Sequence, residues 1–245
     1  MTRLTSCPDA EAVATRAAAV IELHLERARR ERGVAHLALS GGTTPGRTYE
    51  LLAAADCDWT GVEVWFADER CVAPEDEESN YRLAANALLE PAGIDPARVH
   101  RMHGELGPVE GALRYARELS ERVEGGPRGA GPAGVPVLDL VVLGIGPDGH
   151  VASLFPGAET LNADENAVCL GVSDSPKPPP QRITLSLAVL RAARACILLA
   201  TGPSKADAVT AMLGEPSPHV PASLLLRERL TAIVDDAAAP TGPLR

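Results

Sequence analysis

Asp148 and His150 stand two residues apart in the turn Gly144-Ile145-Gly146-Pro147-Asp148-Gly149-His150. A carboxylate beside an imidazole, on backbone stiffened by proline and bent by glycine, suits acid–base work. Four other stretches could meet a charged ligand. Ser40-Gly41-Gly42-Thr43-Thr44-Pro45 offers three hydroxyls and closely spaced backbone N–H groups. Asp68-Glu69-Arg70 sets three charges in a row. Lys177 and Arg182 bracket the run Pro178-Pro179-Pro180, and Lys205 follows Gly202-Pro203-Ser204. Taken singly, these stretches have plain readings as well. The serine–threonine loop could be a strand–helix turn with capping hydroxyls, the acidic pair with Arg70 a solvated turn, and the proline run a surface spacer.

The elements needed to hold these groups are legible around them. Val137-Leu138 and Leu140 to Leu143, broken only by Asp139, form an apolar run that ends in turn residues. That pattern predicts a strand buried on both faces of a parallel sheet. Ligands bind beyond the carboxyl ends of strands in such sheets, which is where Asp148 and His150 fall. Further strands are predicted at Val34–Leu39, Val62–Ala67, Val168–Val172, Cys196–Ala200 and Leu230–Val234, with a short one at Val99–Met102. Asp9 caps a predicted amphipathic helix ending before Gly33, and others are expected at 47–55, from Ser79 past Leu88, at 108–123 and from Lys205 to Leu213. Strand, glycine-rich turn and helix with an early proline is an arrangement that binds phosphate. A lysine opening a helix opposes the macrodipole unless an anion sits there too. Lys205 therefore points to a ligand.

Composition narrows the classes. A chain of 245 residues suits one α/β domain over 1–245, here with a flexible Gly/Pro loop at 124–136 and a loose tail from about 236. The formal net charge of −10 argues against nucleic acid as a partner. It leaves room for a phosphorylated substrate, because a local basic pocket can outweigh the global field. Five cysteines without CxxC spacing fit free thiols in a reducing compartment. With no signal-peptide pattern and no apolar run near membrane length, a cytoplasmic protein without a membrane partner is expected. His100 and His103 lack companions for a ligand set, so no metal is expected. Gly144-x-Gly146-x-x-Gly149 matches the dinucleotide fingerprint in form. Pro147 and Asp148 fall inside it, and Phe155-Pro156-Gly157 breaks any long helix after it. No NAD or other cofactor is expected.

Five ordered stretches together resemble the 6-phosphogluconolactonase family, within the wider group that includes glucosamine-6-phosphate deaminase. They are LALSGGTTP (37–45), WFADER (65–70) with Ser79-Asn80-Tyr81, GIGPDGHVASLFPG (144–157), SPKPPPQRITLS (175–186) and ATGPSKA (200–206). The resemblance implies a Rossmann-like α/β fold, with a mainly parallel central sheet flanked by helices. It implies hydrolysis of the small-molecule sugar-phosphate lactone 6-phospho-D-glucono-1,5-lactone, by a monomer or small homo-oligomer. His150 would be the general base, Asp148 the residue that orients it, and Arg70 a contact to substrate oxygens. Ser40, Gly41, Gly42, Thr43 and Thr44 with Lys205 would hold the phosphate, and Lys177 and Arg182 would line the site. Deaminases of the group carry another residue in place of Arg70 and an acidic one after the DGH segment. Both departures favour the lactonase. A sugar-phosphate sensor without catalysis would have no use for Asp148 and His150.

Overall fold

The computed structural model describes residues 2–125 and 134–240. Its strands in chain order are β1 (Arg3–Cys7), β2 (Ala35–Leu39), β3 (Val62–Phe66), β4 (Asp68–Arg70), β5 (Leu140–Gly144), β6 (Cys169–Val172), β7 (Arg182–Leu185), β8 (Cys196–Ala200) and β9 (Leu230–Asp235). Six of them form the main sheet in the order β1-β9-β8-β5-β2-β3, with every neighbouring pair parallel. The other three form an antiparallel sheet, β4-β7-β6. Position in the main sheet follows composition. Central β8, CILLA, is buried at every residue, whereas edge strand β1, RLTSC, is buried only at Cys7. A strand covered on both faces can carry no unpaired polar side chain, and an edge strand can.

The helices are α1 (Ala10–Arg32), α2 (Thr43–Ala54), α3 (Asn80–Ala84), α4 (Gly107–Arg122), α5 (Leu187–Ala192) and α6 (Ala206–Leu213). Asp9 accepts from Ala12 N at 2.8 Å to start α1, and Gly33 ends it at φ 78°, donating to Arg29 O. Between those caps Val13, Ala17, Ile21, Leu25 and Ala28 form the buried stripe. None of the described helices is long and apolar enough to cross a membrane.

Several expectations are corrected. β1 and the antiparallel sheet were not expected. The strand predicted at Val99–Met102 is a single bridge, Val64 to Val99. Helix α2 begins at Thr43, not Arg47, because Pro45 falls in the first turn, where an N–H has no partner inside the helix. Lys205 is the cap residue of α6, after a 3-10 turn at Pro203–Lys205. The tail read as loose from about 236 is packed as far as it is described. Asp236 N donates to Cys7 O at 2.8 Å, and Ala238 lies in the hydrophobic core. Residues 126–133 of the predicted Gly/Pro loop and 241–245 of the tail lie outside the described residues.

The topology gathers one set of strand ends. β2, β5 and β8 are adjacent, and all three point their carboxyl ends the same way. Beside them, β3 leaves the main sheet at Ala67. Its N donates to Leu39 O at 2.7 Å, its carbonyl accepts from Leu185 N at 2.8 Å, and the chain continues as β4. The antiparallel sheet thus stands as a wall beside the carboxyl ends. Two buried tyrosines fix this corner. Tyr49 OH bonds both Ser40 N (3.0 Å) and Ser40 O (2.8 Å), and Tyr115 OH does the same for Phe66 (2.7 and 3.0 Å).

Candidate active site

A cleft opens over the ends of β2, β5 and β8. It is lined by the Ser40–Pro45 loop, Asp68, Arg70, Asn80, Gly144–Pro147, His150, Ala152, Lys177, Arg182 and Leu199–Thr201 with Lys205. Of the residues assigned a site role through the resemblance, all but Asp148 line this cleft, whereas Glu69, His100 and His103 do not. The Asp148 carboxylate stands behind His150, where it accepts from Nδ1 at 2.5 Å.

The turn carrying this pair is tightly closed. Gly146 N donates to His150 O at 2.9 Å, and Gly149 N to Gly146 O at 2.9 Å. A Cβ on Gly146 would overlap both the His150 imidazole and the Asp148 carboxylate, so only glycine lets the pair fold back over the turn. Gly149 takes φ +82°, and its carbonyl accepts from Ala222 N at 3.0 Å. Two residues past His150, Ala152 adopts φ +49°, alone among the described non-glycine residues in the left-handed region. Such a backbone costs on the order of 1–3 kcal/mol and persists only where its surroundings over-determine it.

Lys177 Nζ lies 3.3 Å from both Asp148 Oδ1 and His150 Nδ1. Burial pushes the His150 imidazole below its ordinary pKa, and Lys177 adds to this. The hydrogen bond that His150 donates to Asp148 opposes the shift without reversing it. Burial acts to raise Asp148, but the His150 hydrogen bond and the charges of His150 and Lys177 hold it below the ordinary carboxylate value. The pair at neutral pH is thus a carboxylate and a neutral imidazole. An ionised carboxylate only accepts, so the proton sits on Nδ1 and Nε2 is left as the acceptor.

The loop after β2, the strand next to β5, also lines the cleft. Ser40 Oγ is buried without a hydrogen-bond partner, and so is Arg70 Nε. Unpaired buried polar atoms are costly unless something occupies them. Thr44 Oγ1 meets Thr201 Oγ1 at 2.7 Å, joining this loop to the one after β8. Gly202 N in that second loop is held by Asp235 at 2.9 and 3.0 Å. Lys205 makes no ion pair among the described residues; burial, then the charge of Lys177, lowers its pKa. A cation pressed this way favours an anion beside it.

The charged run at β4 divides its labour. Glu69 is buried and accepts from Arg70 N, Asn80 N, Ser79 Oγ and Tyr81 N, so it anchors the start of α3. Arg70 reaches the carbonyl of Glu78 with Nη1, and its Nε is buried without a partner. Arg182 is buried and directs Nε to Pro179 O (3.0 Å) and Nη2 to Pro178 O (3.0 Å) and Lys177 O (3.3 Å). Its guanidinium organises the proline run and thereby the backbone of Lys177. His100 is buried between Glu63 (2.8 Å) and Glu118 (2.8 Å) and stacked on Trp65 at 4.0 Å.

The comparison with known families now decides the kinship. A family model described as glucosamine-6-phosphate isomerases/6-phosphogluconolactonase matches residues 8–234. The chain belongs to this family. It is 39% identical over 242 residues to a 6-phosphogluconolactonase of Streptomyces coelicolor, covering 94% of this chain and 91% of that one. It is 38% identical over 214 residues to the human 6-phosphogluconolactonase, covering 83% and 79%. Among solved structures, 6-phosphogluconolactonase from Leishmania guyanensis superposes with TM-score 0.86 at 29% identity, covering 97% of each chain. A monomeric glucosamine-6-phosphate deaminase superposes with TM-score 0.79 at 22% identity, a likeness of fold.

The sequence reading assigned no site role of their own to Asn80, Ser153 and Thr201, and gave Asp68 only as one of three charges in a row. Asn80 Nδ2 donates to Asp68 O (2.9 Å) and Oδ1 (3.0 Å), while its Oδ1 fills the space where a Cβ on Gly41 would be. Ser153 Oγ donates to Asp68 Oδ2 at 2.8 Å. Nothing in their local spacing marks them, because their partners lie between 12 and 157 residues away in the chain. Burial of so many polar side chains at one sheet end is visible only once the chain is folded.

Proposed function

We propose that this chain hydrolyses 6-phospho-D-glucono-1,5-lactone to 6-phospho-D-gluconate, with His150 as general base. The observation that carries this reading is the 2.5 Å bond between His150 Nδ1 and Asp148, beside a cleft also lined by Ser40, Thr43, Thr44 and Lys205. Asp148 holds the tautomer, and Nε2 takes a proton from water as its oxygen attacks the lactone carbonyl. The carbonyl oxygen becomes an oxyanion, for which the guanidinium of Arg70 on the cleft wall supplies a positive charge. When the tetrahedral species collapses, the bond from C1 to the ring oxygen breaks and the imidazolium returns its proton to that oxygen. Ser40, Gly41, Gly42, Thr43, Thr44 and Lys205 hold the phosphate, remote from the reacting carbon, so that its binding energy positions C1. Lys177 lines the site and opposes protonation of His150. The product enters the oxidative pentose phosphate pathway. Five free thiols support a cytoplasmic location.

A deaminase reaction in the same fold needs a base beside C2 of an aminosugar. Arg70 is a permanent cation and cannot serve. Asp68 is the carboxylate on the cleft wall, and Asn80 and Ser153 already occupy it.

The pH profile of kcat/KM tests the base. His150 is active when neutral, so activity falls as pH drops through its pKa, which burial sets below the ordinary value of about 6.5. The acid limb is expected below that pH, leaving full activity at neutrality. Lys177→Met removes a cation that opposes protonation, so the acid limb should move up. A limb above neutrality in the wild type, or no acid limb at all, would remove His150 from this role.

A further inference from the structure

We propose that Ser153 is a positioning residue that clamps the strained turn carrying His150. This rests on the reading of His150 as base. Ala152, at φ +49°, separates Val151 from Ser153, and alanine released from its surroundings relaxes to negative φ. The turn is gripped on both sides of that residue. Upstream, Gly146 N holds the His150 carbonyl at 2.9 Å. Downstream, Ser153 is fully buried and tied twice to the antiparallel sheet, by Oγ to Asp68 Oδ2 at 2.8 Å and by N to Thr184 Oγ1 at 3.2 Å. Asp68 is itself fixed by Asn80, and Arg182 Nη1 approaches Ser153 Oγ at 3.5 Å. Two residues further on, Phe155 packs against the His150 ring with centroids 4.7 Å apart. One relaxed peptide at Ala152 would therefore shift both the imidazole and the surface it rests on. Ser153 itself bonds only Asp68, Thr184 and Arg182, none of them a group assigned to the phosphate, so its loss should fall on kcat rather than on phosphate binding.

A double-mutant cycle reads this. With the phosphorylated lactone as substrate, Ser153→Ala should lower kcat about tenfold with KM within about twofold, the loss expected for a misaimed base. In an Ala152→Gly background the same substitution should cost less than about threefold, because glycine holds positive φ without a clamp. In a His150→Ala background it should cost nothing further, since Ser153 acts through the imidazole. Unchanged kcat in Ser153→Ala overturns the proposal, and so do equal losses in all three backgrounds, the mark of a merely structural role. Should Ser153→Ala fail to fold, Ser153→Cys keeps the volume with a weak donor and is read in the same three backgrounds. His150→Ala that keeps most of its activity overturns the base itself. An inactive His150→Ala beside a fully active Ser153→Ala overturns the clamp alone.

Discussion

His150→Ala is expected to cut turnover on 6-phosphogluconolactone by about 10²–10⁴-fold, the contribution typical of a positioned general base. KM should stay nearly constant, because the groups assigned to the phosphate lie on the loops after β2 and β8, apart from the turn after β5 that carries His150. A fall in kcat and kcat/KM together, with KM held, is the signature of an interaction made in the transition state. Steady-state kinetics over a range of lactone concentrations give the split directly. A variant that keeps most of its kcat would take His150 out of the mechanism. Asp148 would then be the better candidate for the base.

Lys205→Ala should act on the other half of the site. Lys205 lines the cleft, is pressed by burial and by Lys177, and pairs with no carboxylate among the described residues. Losing a charged hydrogen bond costs about 1.5–3 kcal/mol, or about 10–150-fold in affinity. The weakening should fall on the phosphorylated lactone and on binding of 6-phosphogluconate measured by titration. Unphosphorylated gluconolactone should be a poor substrate for wild type and variant alike, and should not distinguish them. Equal efficiency of the wild type on both lactones would show that no phosphate is read here.

How far the fold could be read follows from which forces placed each element. β2, β3, β5, β8 and β9 were legible because strands buried on both faces must be apolar, and CILLA or LVVL can hardly be anything else. The edge strand β1 was not, since RLTSC is paired on one side only and carries polar residues that solvent satisfies. Asp68–Arg70 has no strand pattern at all. Its three residues are extended because β7 offers them a ladder and because Asn80, Ser79 and Ser153 accept the cost of burying two carboxylates. β7 itself was hidden behind the proline run, with Arg182 as its first residue. The candidate site was legible where a chemical group announces itself, in the DGH turn, the SGGTT loop and Lys205. It was illegible where the function of a residue is to hold another. Asn80 and Ser153 are ordinary polar residues until the fold sets them against Gly41 and Asp68. Ala152 is an unremarked alanine until its φ is known.

The measurement that bears most directly on the central claim is lactone hydrolysis itself. Glucose-6-phosphate dehydrogenase generates 6-phosphogluconolactone in situ, and its disappearance is followed against the spontaneous rate, with ammonia release from glucosamine 6-phosphate assayed in parallel. The account predicts lactone decay that accelerates in proportion to added protein, and ammonia at the level of the blank. Decay at the spontaneous rate whatever the protein concentration, or ammonia release as fast as lactone hydrolysis, would contradict it.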